Sequence, residues 1–146
     1  MKDVKTVRLT REHLGAVASL EREIFAEPWS EKALELLLTP EAIGFVCLCD
    51  GEVVAYAGML IAVDEGQVTN VAVRADQRRK GFGHAVLLAI EEEARARGLV
   101  QISLEARTSN RAAIALYEQL QYRTAGVRRN FYRHPTEDAL VMLKTL

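Results

Sequence analysis

The chain is poor in the residues that would commit it to several common functions. Its 2 cysteines and 3 histidines do not make a metal set, because His13, His84 and His134 are scattered and no further ligands stand at a suitable spacing. Cys47 and Cys49 lie two apart in Phe45-Val46-Cys47-Leu48-Cys49. On a strand that spacing puts both thiols on one face, where buried structural thiols are expected. Cys47 has no basic neighbour in sequence that would make it a nucleophile, which disfavours a ping-pong acyl-cysteine route. No apolar run approaches the roughly 18 residues of a membrane span. Met1 to Arg11 is polar and unlike a signal peptide, so a cytoplasmic protein is expected. Excess charge is absent too. Against 20 acidic residues stand 19 basic ones, net −1, so neither nucleic-acid nor membrane binding is implied by overall electrostatics. Repeats, low-complexity stretches and linkers are lacking as well.

What is present is an ordinary globular composition, 49% hydrophobic and 27% charged over 146 residues. That is enough for a real core in one domain spanning 1–146. Val4 to Leu9 alternates as a first strand. Thr10 is placed to cap a helix through about Phe25, with Leu14, Val17, Leu20 and Ile24 on one stripe. Pro28-Trp29 breaks the pattern, and Ser30 can cap a short helix that Pro40 ends. Two strands, Ile43 to Cys49 and Val53 to Val63, flank Asp50-Gly51, a strong hairpin signal. Gln67 to Val73 is a further strand. A loop from Arg74 to Gly81 leads into an amphipathic helix from Phe82 to Arg97, stopped by Gly98. Leu99 to Ala106 forms a strand, Asn110 to Leu120 a helix, and Tyr122 to Val127 and Ala139 to Leu143 the last strands. The order β-α-α-β-β-β-α-β-α-β-β predicts an α+β protein with one mixed sheet and helices on its faces.

Arg78-Arg79-Lys80-Gly81-Phe82-Gly83 is the segment richest in chemistry. Two glycines where a strand gives way to a helix let the backbone approach a ligand and adopt positive φ. The first N–H groups of that helix lack intrahelical partners, and its dipole favours an anion. Three cations precede the turn, and together these features suit a pyrophosphate. No Lys-Ser/Thr follows the second glycine, as a P-loop would need. A dinucleotide fingerprint is excluded because Val86 stands where its third glycine belongs. A glycine-containing helix start beside a solvated charge run would look the same taken alone.

Arg78-x-x-Gly81-x-Gly83 resembles the coenzyme A signature of the GNAT superfamily of N-acetyltransferases. Val71-Ala72-Val73 is similar to the family strand whose bulged backbone holds the pantetheine arm and thioester carbonyl. Asn110-x-x-Ala113-Ile114-x-Leu116-Tyr117 resembles its second conserved helix. Glu27-Pro28-Trp29-Ser30, Leu104-Glu105-Ala106-Arg107, Ser109-Asn110, Arg129-Asn130-Phe131-Tyr132 and Glu137-Asp138-Ala139 resemble one subfamily, the ribosomal-protein-alanine N-acetyltransferases. Two departures stand out. Ala75 occupies a position where the family usually has proline, and Gln121 replaces a glycine expected after the tyrosine helix, where an αL conformation is wanted.

The resemblance implies a mostly antiparallel twisted sheet of about seven strands with helices on both faces. It implies acetyl-CoA as co-substrate, no metal, and direct transfer in a ternary complex. Val71, Ala72, Val73, Arg78, Arg79, Lys80, Gly81, Phe82, Gly83 and Asn110 are the implied coenzyme contacts, and His84, following Gly83 in the first helical turn, is either a plain helix-start residue or a further contact near the phosphates. For Asn110 a plain helix cap is the competing reading. Glu105 is the implied base, and its strand alternation, between Leu104 and Ala106, points it away from the core into a cleft or solvent. Tyr117 is the implied acid toward the departing sulfur. The implied acceptor is a protein N-terminus, the alanine of a small-subunit ribosomal protein. Chemistry agrees with an α-amine: at pH 7 roughly one in ten is neutral, against well under one lysine in a thousand. Trp29 and Tyr132, in loops, are candidates for lining the peptide entrance, or for rim packing. Glu27, Glu31, Asp64 and Glu65 would complement a basic peptide, or simply be solvated. Alternatives are acetylation of a small amine, such as a polyamine or antibiotic, and a non-catalytic coenzyme A-binding module. A monomer or weak dimer is expected.

Overall fold

Seven strands form one sheet in the order β1-β2-β3-β4-β5-β7-β6 in the computed structural model, which describes residues 2–146. The strands are β1 (Val4–Arg8), β2 (Ala42–Cys49), β3 (Glu52–Ala62), β4 (Glu65–Val73), β5 (Gln101–Arg107), β6 (Arg123–Tyr132) and β7 (Glu137–Thr145). Four helices accompany them: α1 (Leu14–Ile24), α2 (Glu31–Leu34), α3 (Phe82–Ala96) and α4 (Arg111–Gln119). This is the mixed architecture and element order that the sequence predicts. Every neighbouring pair is antiparallel except β4 with β5.

Strand β2 shows how the sheet divides its core. Ala42 and Val46 face one layer with Leu14, Val17 and Leu20 of α1 and Leu34 of α2. Ile43, Cys47 and Cys49 face the other with Val86, Leu87 and Ile90 of α3 and Tyr117 of α4. The period-two alternation of a strand thus serves helices on both faces, and both thiols lie in one layer as expected. The turn after β2 has Asp50 and Gly51 at φ 51° and 84°, the double positive φ of a type I′ hairpin.

Helix ends follow local chemistry. Ser30 Oγ accepts from the Ala33 N–H at 3.0 Å and caps α2. Gly98, at φ 78°, ends α3 in a Schellman motif, with Leu99 N–H to Ala94 O and Gly98 N–H to Arg95 O, both 3.0 Å. The same motif ends α4, but there Gln121 takes φ 72°. Its N–H and that of Tyr122 bond Glu118 O and Tyr117 O, both at 2.9 Å.

Several boundaries differ from the sequence expectation. Helix α1 begins at Leu14 after a 3₁₀ turn at Arg11–His13, and Phe25 is already extended. Helix α2 is one turn long and passes into a 3₁₀ turn at Glu35–Leu38. Leu99 and Val100 precede β5, and Tyr122 precedes β6. Tyr132 belongs to the end of β6, not to a loop. Strand β6 is longer than expected because it is almost wholly exposed, so no apolar alternation marks it.

The feature that positions the site is a fork. β4 and β5 pair only through Glu65–Gln67 and Gln101–Ser103, and α3 is the crossover between them. Beyond those residues the two strands share no ladder.

Candidate active site

The register of β4 decides what its backbone presents to the fork. A bulge at Thr69 interrupts the pairing with β3, since Gly58 faces Asn70 while Met59 faces Val68. Past it, the Arg74 N–H bonds Val54 O at 2.8 Å, on the β3 side. Backbone groups alternate along a strand, so the N–H groups of Val71 and Val73 point away from β3, toward the fork. The Ala72 side chain is buried in the α1 layer, and by the same alternation its backbone N–H and C=O face Tyr56 of β3 and not the fork.

At the mouth of the fork the chain turns into α3. Gly81 caps the helix at φ 85°, and Arg79 is also left-handed at φ 64°. A Cβ added at Gly81 would meet nothing within 4 Å, so the glycine answers to backbone conformation and leaves open space before the helix. The first helical bond runs from Ala85 N–H to Gly81 O at 3.0 Å, leaving the N–H groups of Phe82, Gly83 and His84 ahead of it. Arg78, Arg79 and Lys80 are exposed around this end, and His84 is half-buried in the first turn. Lys80 Nζ is steadied by Gln77 Oε1 at 3.0 Å, and Arg78 Nε reaches Val73 O at 3.5 Å. Gly83 serves packing instead. A Cβ added there would lie 3.1 Å from Leu116 Cδ2 and 3.4 Å from Val73 Cγ2, so the glycine brings α3, α4 and β4 together. Phe82 anchors the turn in the core. Open space, free N–H groups and three cations fit the phosphates of a coenzyme.

Asn110 Oδ1 accepts from Ala113 N–H at 3.1 Å and caps α4. Its carbonyl oxygen therefore has a structural role, as the competing reading of this residue held. Ala75, where the family usually has proline, keeps an N–H that points to Glu23 Oε1 at 3.4 Å.

Across the fork, β5 turns Leu104 and Ala106 into the core and Glu105 to the opposite face. The Glu105 side chain is 10% exposed. Oε1 accepts from Gln67 Nε2 at 2.9 Å, and Arg128 Nε lies 3.2 Å from Oε2. That second contact is an ion pair without hydrogen-bond alignment, so Oε2 accepts from no donor. Tyr117 is buried, with its ring tilted against Tyr122 at 6.1 Å between centroids. Burial, reinforced by the nearby Tyr132, pushes its hydroxyl pKa above the usual phenol value. Tyr132 is itself pushed up to about 12, first by burial and then by the charge of Glu105. The Tyr132 ring lies under the Arg107 guanidinium, 4.7 Å from its centroid.

The loop 25–30 closes another side. Trp29 is half-buried against the α1 layer, and its N–H donates to Glu21 Oε1 at 2.9 Å. His134 Nε2, in the β6–β7 turn, lies 3.9 Å from Glu27 Oε1, so this turn meets the same loop. Gln67, Arg128 and Glu21 escaped the sequence reading. Each reaches the site through sheet register or helix packing, and only the polar side chain of Gln67 in a strand hinted at a role.

Comparison with known proteins agrees with this arrangement. The acetyltransferase (GNAT) family model matches residues 14–122. The bS18-alanine N-acetyltransferase of Escherichia coli K12 is 38% identical over 133 residues, covering 88% of each chain. The enzyme of the same name from Salmonella typhimurium is 37% identical over 138 residues, covering 92% of each. The crystal structure of the Escherichia coli S18-alanine enzyme superimposes with a TM-score of 0.90 at 34% identity, covering 98% of this chain and 94% of the other. A free-standing anion cradle beside a forked sheet, with this kinship along nearly its whole length, means that the chain belongs to the GNAT family and is one of its acetyl-CoA-dependent N-acetyltransferases.

Proposed function

We propose that the chain acetylates the α-amine of a protein N-terminus, and that its acceptor is the N-terminal alanine of ribosomal protein bS18, the substrate named for its relatives. The observation that carries the reading is Glu105, a nearly covered carboxylate on the open face of β5 with one oxygen lacking a hydrogen-bond donor. A carboxylate so placed attracts an ammonium and can take its proton, directly or through water. An α-ammonium, with a reference pKa near 7.7–8.0, gives up its proton far more readily than a lysine near 10.4, so a base of modest strength suffices.

Arg78, Arg79, Lys80 and the N–H groups of residues 81–84 would hold the phosphates. The Val71 and Val73 N–H groups would hold the thioester carbonyl and draw charge onto it. When bound, acetyl-CoA supplies an activated acetyl group and a thiol as leaving group. Tyr117 keeps its proton at neutral pH and so can give it, or a hydrogen bond, to the sulfur. Trp29 and Tyr132 would line the acceptor entrance, between the loop 25–30 and the β6–β7 turn. Glu27, exposed at that entrance, suits a basic peptide. The chain would act in the cytoplasm as a single domain.

A panel of short peptides that differ only in their first residue tests this reading. Mass spectrometry is expected to show one acetyl group on the α-amine, with the bS18 sequence beginning at alanine turned over fastest. Acetylation of internal lysines or of free polyamines, with peptide α-amines untouched, would overturn it.

A further inference from the structure

Arg128 reaches Glu105 through a gap that the sheet leaves open for it. Glu105 of β5 stands opposite Val141 of β7, and Val141 stands opposite Gly126 of β6. Gly126 carries no side chain, and a Cβ added there would meet nothing within 4 Å. Arg128, two residues further along the same face of β6, spans this gap diagonally. Its guanidinium also lies 5.6 Å above the exposed ring of Phe131. The two partners of Glu105 are unequal. Gln67 makes an aligned hydrogen bond. Arg128, with a side chain 59% exposed, makes only an unaligned contact with an oxygen that has no other donor.

A carboxylate covered to this degree is costly without a cation beside it. The cation provided is exposed and poorly aligned, and such pairs hold weakly. We infer that Arg128 is the resident counter-ion of the free enzyme, occupying the place at Glu105 Oε2 that the acceptor's ammonium takes on binding. The inference rests on Glu105 being the carboxylate that faces the acceptor. The guanidinium offers Glu105 Oε2 a positive partner between turnovers. The acceptor must bring its own positive charge to displace Arg128, and the displaced side chain has Phe131 and solvent to receive it. Arg128 is therefore a positioning residue that competes with the substrate.

Steady-state kinetics of Arg128→Gln, Glu105→Gln and the double variant, with an alanine-starting peptide, test the competition. Arg128→Gln is expected to lower the peptide KM by about fivefold, the strength of a half-exposed ion pair. Its kcat should stay within about twofold, since the proton-transfer groups remain in place. The KM for acetyl-CoA should not move. In the Glu105→Gln background the same substitution should leave the peptide KM unchanged. Added ethylguanidinium should compete with the peptide in Arg128→Gln and raise its KM again. Arg128→Met, of similar length, serves as a second variant, and thermal unfolding of both checks the fold. A peptide KM that is unchanged or raised in both variants overturns the inference, as does an equal drop in the double variant. Wild-type turnover by Glu105→Gln would remove the role of Glu105 itself. Impaired turnover there, with an unmoved KM in Arg128→Gln, would sink the counter-ion alone.

Discussion

Glu21 Oε2 accepts a hydrogen bond from Asn70 Nδ2 at 2.8 Å, which ties α1 to β4 at the residue following the Thr69 bulge. The carboxylate is fully buried, and it also accepts from the Tyr56 hydroxyl and from the Trp29 N–H. One side chain thus holds both the strand that presents Val71 and Val73 and the loop proposed to receive the acceptor. Glu21→Ala strips the buried Tyr56 hydroxyl and two half-buried donors of their acceptor, at a total cost of about 3 kcal/mol. A Tm roughly 10 °C lower is expected by calorimetry. At a temperature where the variant remains folded, the peptide KM should rise more than kcat falls.

Tyr117→Phe removes a hydroxyl whose proton burial holds in place. If that hydroxyl serves the departing sulfur, kcat should fall by about 10²-fold, in the range for one general acid. The KM for acetyl-CoA should stay near the wild-type value. Undiminished turnover would show that the sulfur finds its proton elsewhere.

Gln121→Gly is expected to stabilise the protein. A non-glycine residue at φ 72° carries a left-handed penalty of about 1 kcal/mol. Gln121 is exposed, so the added freedom of glycine in the unfolded chain is the main offset to this gain. Chemical denaturation should show a higher midpoint with an unchanged m-value, and turnover should be unaltered.

Glu137 gives the fold its most clearly marked acid sensitivity. Its carboxylate accepts from the Ser109 N–H at 2.7 Å and the Thr108 hydroxyl at 3.2 Å, and pairs with Arg107 at 3.1 Å. These contacts, led by Ser109, depress its pKa to about 2. The folded form therefore binds its proton less readily than the unfolded chain. The resulting stability is complete above the ordinary Glu pKa of about 4.3 and fades as pH falls toward 2. Glu137→Gln should flatten the dependence of stability on pH between about 5 and 2. An unchanged acid limb would assign that sensitivity to other carboxylates.

Local signals made much of this molecule legible in sequence. Asp50-Gly51, Ser30, Gly81 and Gly98 each act within a few residues of themselves, so their turns and caps could be read directly. Glu105 could be placed on the outer face of its strand because its neighbours are both apolar. Its partners could not be read. Gln67 stands 38 positions away, and Arg128 is delivered by register across β7. Glu21 looked like one more polar residue on an amphipathic helix, since its acceptor role depends on Tyr56 and Asn70, 35 and 49 positions on. The length of β6 was hidden for another reason: a strand exposed along nearly its whole length has no buried side to imprint a pattern.

The three-residue ladder between β4 and β5 has a consequence for where novelty can arise in such a molecule. A parallel pair needs a crossover, and the crossover helix must start beyond the carboxyl end of the first strand. The end at which these strands separate is thus also the end at which α3 presents its N–H groups. Chain direction alone brings the anion cradle and the diverging strands together, whatever side chains line them. On the proposed reading, specificity for the acceptor falls to elements that topology does not dictate, the loop 25–30 and the β6–β7 hairpin. Those segments lie outside the β4–β5 fork and the turn into α3, so on that reading a new acceptor would need no new donor site.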